Sequence, residues 1–411
     1  MNLDFLKGVR VIESSAFIAA PLAGLTLAQF GAEVIRLDMT GGGIIDYERM
    51  PRMPGGTSLY WTGLNKQKRS VALDLRKPEG RDLARKLVCA PGPDAGILLT
   101  NIGVSWLSHA ALAEGRPDVI TCTIEGNADG SSAVDYTVNC ATGYPHATGD
   151  GREPVNSPLP AWDACCGYQA AMAVVSVVLR RRQTGQGAEL RLALSDVAFA
   201  LMSHLGTLAQ AELLGEDREP LGNHLYGAFG RDFVTRDGNR VMVAAISKGQ
   251  WQSLVRTCGL AEAVAAIEAR TGAKLAEEAQ RFAHRDAIAA ACEPWFRARM
   301  LAQVRTALDA GGVCWGLYQT ATQMLARDGR AGSANPLFER IATAGAGEHW
   351  ALGTSVREPR AMRRPTQGAS RLGQHTDQVL GELLGLSARQ LSDLHAAGVV
   401  AGPSGDPRGA H

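Results

Sequence analysis

Residues 8–38 read GVRVIESSAFIAAPLAGLTLAQFGAEVIRLD. The segment GVRVIESS has the apolar, β-branched make-up of a strand. PLAGLTLAQFGA reads as a helix beginning after Pro21, and EVIRLD as a second strand. The rhythm continues outward through SVALDL, PEGRDLARKLVCA, AGILLTN and VITCTIEG. Apolar strand cores separated by amphipathic helices predict an α/β fold with a parallel sheet covered on both faces.

A polar, glycine-rich stretch follows from Asn127 to Pro160 and reads as surface loops around a site. Ala164 to Leu179 is nearly all apolar and runs into Arg180, Arg181 and Arg182, cations suited to a helix C-terminus. GAELRLALSDVAFALMSH then reads as strand followed by helix. Near residue 215 the character changes: GEDREP is a charged linker, and GAFGRDFVTRDGNRVMVAA alternates around a DG turn, a hairpin signal. The expected organisation is a large α/β domain over 1–210, a smaller α+β domain over 221–325, and a segment over 330–411 in which MRRPTQGASRLGQHTDQVLGELLG reads as a loop leading into an amphipathic helix. The chain end beyond GVVAGPSG is expected to fray.

Composition narrows the function. The 411 residues carry a net charge of +1, with 45% hydrophobic and 20% charged residues. No basic stripe is present for a nucleic acid, since NKQKRS (65–70) is only a short loop. The eight cysteines have no CxxC spacing and form no zinc-like cluster with histidine, so they read as unpaired, buried small hydrophobes. No apolar run is expected to reach the ~18 residues of a membrane span. A cytoplasmic protein with no metal, no nucleic-acid partner and no membrane partner is the expectation.

A parallel sheet invites a dinucleotide-binding reading, with Asp38 ending the second strand as a ribose-binding acid would. The first strand–helix turn, SSAFIAAP, argues against it, because it lacks GxGxxG and any glycine that would let a pyrophosphate approach. Gly41 to Gly43 follow the second strand instead and read as a flexible loop.

One carboxylate stands out. In SPLPAWDACC (157–166), Asp163 leads into the apolar run. In isolation it reads as a helix N-cap, worth about 1 kcal/mol over alanine.

Several stretches together resemble one family: LKGVRVIE, FGAEVIRLD, NKQKRSVALDLRKPEGRDLARKL, LLTNI, the Asp163 segment, RRRQTGQGAELRLALSDVAFA and RLGQHTDQVL. In order and over essentially the whole chain, they resemble the class III CoA-transferases, which include formyl-CoA transferase and the α-methylacyl-CoA racemases. The resemblance implies an interlocked homodimer acting on an acyl-CoA. It also implies a Rossmann-like large domain closed by the C-terminal segment, with a smaller domain between. SAVDYTVN, LPAWD, GNHLYGAFGRDF and GVVAGP are most similar to the branch that shifts CoA from C1 to C4 of 2-methylfumarate.

By that resemblance Asp163 is the nucleophile. Exchange of one thioester for another of similar energy requires neither ATP nor a metal, and no cofactor is expected beyond the CoA moiety of the substrate. An aspartate suits the task. It can form a mixed anhydride with the acyl group and then accept CoA on its own carbonyl, which a thiol cannot do. Cys165 and Cys166 therefore read as wall. The helix beginning near Ala164 is expected to offer N–H groups to the carboxylate and to tetrahedral oxyanions.

The resemblance further places CoA contacts at Phe17, Ile18, Leu73, Arg76, Asn101 and Ile102. Where formyl-CoA transferase has an arginine after its Asn-Phe pair, this chain has WLSHA, which leaves Arg36, Lys66, Lys68 and Arg69 as substitutes. Asn223 and Tyr226 match a loop over the acyl site. A second substrate carboxylate calls for a cation, with Arg49 and Arg231 as unranked candidates. The racemase branch carries a histidine in a GHDINY-like segment. Val134 stands at that position here and cannot move a proton, and His146 would have to come from another loop. An intermolecular transferase with a separate acceptor acid shares the same nucleophile and stays open.

Overall fold

A computed structural model describes residues 2–42 and 45–406. Gly43 of the Gly41–Gly43 loop and the chain end from 407 lie outside the described residues. The first six strands, in chain order, are β1 (Arg10–Ser14), β2 (Glu33–Met39), β3 (Arg69–Leu73), β4 (Ile97–Thr100), β5 (Ile120–Glu125) and β6 (Ala188–Ala193). They are followed by β7 (Phe229–Val234), β8 (Arg240–Ala245), β9 (Cys314–Leu317), β10 (Phe338–Thr343), β11 (Gly347–Leu352) and β12 (Val400–Ala401).

The chain divides into two compact units. The first holds residues 1–142, 158–206 and 329–411 and is built on a seven-stranded sheet, in the order β12-β3-β2-β1-β4-β5-β6. All pairings in this sheet are parallel except that of β12 with β3. The run β3-β2-β1-β4-β5-β6 is the doubly wound order, whose reversal between β1 and β4 opens a crevice at the strands' carboxyl ends.

Ile12, Ile35, Leu37, Val71, Leu73 and Leu98 form one buried core with Leu83 and Leu87 of the helix Pro78–Cys89. Val379 and Leu380 of the helix Thr376–Leu384, together with Val400, complete it, so the last segment covers the sheet edge and adds a strand to it. Such fully apolar strands require cover on both faces.

The other face carries the first helix (Ala19–Gln29) and the long helix (Ala161–Thr184), packed on one another. Trp162, Cys166, Ala170, Val174 and Val178 recur every fourth residue and are buried. Gly167 makes the approach possible, since a Cβ there would lie 2.7 Å from the Ala19 carbonyl oxygen. Gly24 does the same over the sheet, where a Cβ would collide with the buried Glu13 carboxylate.

Three sequence expectations are corrected here. The first helix starts at Ala19 rather than after Pro21. Proline fits within the first turn because its missing N–H would have no intrahelical partner there. The stretch 127–160 is not all loop: Asp135–Ala141 and Tyr144–Ala147 are short helices. The long helix, 24 residues with a mean hydropathy of 1.4 in its most apolar window, is long and apolar enough to cross a membrane. Its buried stripe packs on the first helix and on β5.

The second unit holds residues 143–157 and 207–328. Its antiparallel sheet β7-β8-β9 includes the hairpin expected at Asp237-Gly238, where Gly238 adopts φ +77°. Phe229, Phe233, Trp251, Leu254, Cys292 and Phe296 form its core with the surrounding helices. The segment 143–157 belongs to this unit, although it precedes the long helix in sequence.

Candidate active site

At the carboxyl ends of β1, β4 and β5 the first unit encloses a cavity of about 560 Å³. Phe17, Ile18 and Ala19 line it from the β1 turn, Asn101 and Gly103 from the β4 turn, and Thr123 to Gly126 from the end of β5. Residues 130–136, Pro160, Asp163, Leu194 and Arg49 complete the wall. This is the crevice at the topological switch point, where open α/β sheets bind ligands.

Asp163 does not cap its helix. The N-cap is Pro160, which has no side-chain acceptor, and Asp163 lies in the first turn. Its neighbour Asp135, 4% exposed, supplies the cap from outside. Asp135 Oδ2 accepts the N–H of Trp162 at 2.7 Å and that of Asp163 at 3.0 Å. The Ala161 and Ala164 N–H groups go to the carbonyls of Leu159 and Pro160. The expectation that this helix end would offer free N–H groups to a carboxylate or an oxyanion is therefore corrected, because a second carboxylate has already taken them.

The Asp163 carboxylate is left with no hydrogen bond or ion pair among the described residues. Burial pushes its pKa up to about 7 from 3.8. The negative charge of Asp135 adds to the rise, and Arg49 opposes it. A carboxylate so poorly stabilised is more basic, and hence a better nucleophile, than an exposed one. Acylation would remove its buried charge altogether.

Cys166 is buried against the helix stripe and its thiol is pushed up to about 12 by burial, which suits wall rather than nucleophile. The eight cysteines carry no disulfide, but Cys140 and Cys314 are exposed, which corrects the reading of all as buried.

The β1 turn is held in an unusual shape. Phe17 adopts φ +63°, and its N–H donates to the buried Asp46 carboxylate. Asn101 exchanges two hydrogen bonds with the Ala16 backbone, at 2.9 and 2.8 Å, which tie the β4 turn to the β1 turn. Beneath them, Arg36 bonds Asp38, Glu13, Ser15 and the Ser15 carbonyl, while Lys68 bonds Glu13, Asn65 and the Pro21 carbonyl. Asp38 thus serves this buried lattice. Burial opposes the Arg36 charge, yet Asp38 and Glu13 hold its pKa above the ordinary value.

Of the residues picked from sequence, Asp163, Phe17, Ile18 and Asn101 meet around one cavity, with Arg49. The others lie elsewhere. Ile102 follows Asn101 but is not among the lining residues. Leu73 is fully buried in β3, and the Arg76 side chain is 76% exposed and pairs with Asp74. Arg36 and Lys68 are buried in the lattice, which removes them as phosphate ligands. Arg69 pairs with Glu33 and Glu382, and Lys66 forms a backbone bridge with Ala369. Asn223, Tyr226 and Arg231 belong to the second unit, where Tyr226 packs edge-on against Phe282.

Asp135, which lines the cavity and caps the Asp163 helix, has no part in the sequence reading of the site. The signal was present: Leu159-Pro160-Ala161 offers a long helix no capping side chain, so its first N–H groups needed an acceptor from elsewhere.

The match to known proteins agrees with this geometry. The family model for CoA-transferase family III covers residues 6–376. The chain is 46% identical over 402 residues to 2-methylfumaryl-CoA isomerase of Chloroflexus aurantiacus, covering 97% of this chain and 98% of that protein. It is 26% identical over 430 residues to the succinyl-CoA–D-citramalate CoA-transferase of the same organism, covering 96% and 98%. A solved CAIB/BAIF family protein from Brucella suis has the same fold, with a TM-score of 0.76 at 23% identity, over 93% of this chain and all of that one. A doubly wound sheet, a half-buried carboxylate at its switch point and a family match over most of the length agree: the chain belongs to CoA-transferase family III.

Proposed function

We propose that this protein moves CoA within one molecule, from the C1 to the C4 carboxyl of 2-methylfumarate, working as a cytoplasmic homodimer. Asp163 is the nucleophile. It attacks the C1 thioester carbonyl, giving a mixed anhydride and releasing CoA thiolate. The thiolate then attacks the aspartyl carbonyl, which forms an aspartyl-CoA thioester and frees the diacid. The diacid's C4 carboxylate attacks that thioester, and CoA returns to the C4 carbonyl of the second anhydride. Each step exchanges one activated acyl group for another, so the sequence draws on no metal and no ATP.

The observation that carries this reading is the 46% identity over 97% of the chain with a 2-methylfumaryl-CoA isomerase, in a chain whose switch-point cavity holds a half-buried carboxylate with no hydrogen bond or ion pair of its own among the described residues. The racemase alternative has less support, because the described residues lining the cavity include no histidine and Val134 stands at the matching position. The test is to mix the protein with 2-methylfumaryl-C1-CoA and an excess of isotopically labelled free 2-methylfumarate, then follow the CoA esters by mass spectrometry. Unlabelled C4 ester is the expected product. Label entering the ester pool would show an intermolecular transferase instead, the activity that the succinyl-CoA–D-citramalate relative is named for. No C4 ester and no label in the pool would reject the substrate.

A further inference from the structure

We infer that Arg49 is the residue that selects acyl groups ending in a carboxylate, by receiving that second carboxylate in the cavity. This rests on the reading that the cavity takes the acyl part of a CoA thioester. Among the described residues lining the cavity, Arg49 is the only cation, while Glu125, Asp135 and Asp163 are acids. Glu125 is already paired with Arg191, so a diacid monothioester meets Asp135, Asp163 and one guanidinium, which decides whether its free end is tolerated.

The guanidinium is held in place without being neutralised at close range. It lies 4.7 Å from the Phe17 ring centroid and 5.1 Å from that of Tyr60. Its one hydrogen bond among the described residues runs from Nη1 to the Tyr60 hydroxyl at 3.3 Å, and its nearest carboxylate oxygen, on Asp46, is 3.9 Å from Nε. Aromatic faces orient a guanidinium while leaving its N–H edge open to a planar acceptor, and a carboxylate is the acceptor that fits it in a bidentate way.

The bracket is also built from the catalytic turn. Phe17 is fixed at positive φ by Asp46, which lies three residues before Arg49, so the strained turn and the cation are set by one short segment. The Asp163 charge is close enough for Arg49 to act on it. The two groups therefore face one cavity, one disposed toward the reacting carbonyl and the other toward the far end of a short diacid.

Binding of unreactive CoA thioethers tests this independently of turnover. S-(3-carboxypropyl)-CoA and S-butyl-CoA differ at the chain terminus, where one carries a carboxylate and the other ends in a methyl group. Calorimetry is expected to show the carboxylate-bearing thioether bound at least tenfold tighter by the wild-type protein. Arg49→Gln should bring the two affinities to within about twofold, and Arg49→Lys should keep part of the preference. High salt should narrow the wild-type difference. Equal affinities in the wild type, or a preference that survives in a folded Arg49→Gln protein, would overturn the assignment. Isomerisation of 2-methylfumaryl-C1-CoA is measured separately. Its absence with the carboxylate preference intact rejects the proposed reaction but not the role of Arg49, and turnover without that preference does the reverse.

Discussion

The Asp163 carboxylate is kept out of the ion pairs and N–H contacts that would hold it low. In the proposed reaction it must be ionised to attack, so kcat/KM should climb with pH through a limb near 7, the value its surroundings give it. Removing the Asp135 charge should move that limb down, because the charge raises the pKa. Removing the Arg49 charge should move it up. A pH–rate profile of Asp135→Asn that is unchanged or shifted upward would contradict this account.

The same shift bears on stability. The folded protein keeps the Asp163 proton up to about pH 7, whereas the unfolded chain loses it near 3.8. Stability from this group therefore falls as pH rises from about 4 to 7, and the full cost is present above 7. Asp163→Asn should abolish CoA transfer and yet raise the melting temperature at pH 8. The gain should be up to about 4 kcal/mol before solvent screening is discounted, shrinking toward zero near pH 4. Thermal melts of the two proteins at both pH values would check it, and equal gains at both would count against a buried charge.

At the scale of the element, the long helix depends on a cap delivered from another helix. Asp135→Ala leaves the N–H groups of Trp162 and Asp163 without their acceptor. The expected loss is about 1–2 kcal/mol of stability, together with a lower kcat in the proposed reaction, since the backbone N–H of Asp163 is one of the two released. Asp135→Asn retains an acceptor oxygen and should recover most of the stability while still shifting the pH profile. Denaturant titrations of the pair would separate cap from charge.

On the scale of the whole molecule, the lattice of Glu13, Arg36, Asp38 and Lys68 fastens β1, β2 and the β3 edge beneath the site. Every member is nearly inaccessible. Arg36→Ala would leave the buried Asp38 without its ion pair, leave Glu13 with Lys68 alone as a cation and release the Ser15 carbonyl, costing about 3–5 kcal/mol. Because Ser15 adjoins the Phe17 turn, acyl-CoA binding should weaken as well. A fully active variant of unchanged stability would show that the lattice is dispensable.

How much of this was legible beforehand follows from the range of the forces involved. The alternation of β1, the first helix and β2, the hairpin at Asp237-Gly238 and the apolar helix after Asp163 are set by local periodicity and turn chemistry. Sequence alone determined them, and the order of motifs along the chain was enough to point to the family. Asp163, Phe17, Ile18 and Asn101 are singled out by the family resemblance, since locally they read only as a helix cap and strand-end residues.

Only the tertiary structure decided which charges are buried together. Arg36 and Lys68 stand in sequence as candidate phosphate contacts but are enclosed, since the acids that pair with them come from β1 and β2. Arg49 and Arg231 could not be ranked, because neither carries a sequence cue for which of them shares a cavity with Asp163. The cap on the long helix comes from Asp135, 28 residues before Asp163, and no local pattern specifies that contact. Burial and long-range Coulomb energy depend on what folding brings close, which is why Asp163 could be picked out through the order of motifs along the chain and its poised charge could not.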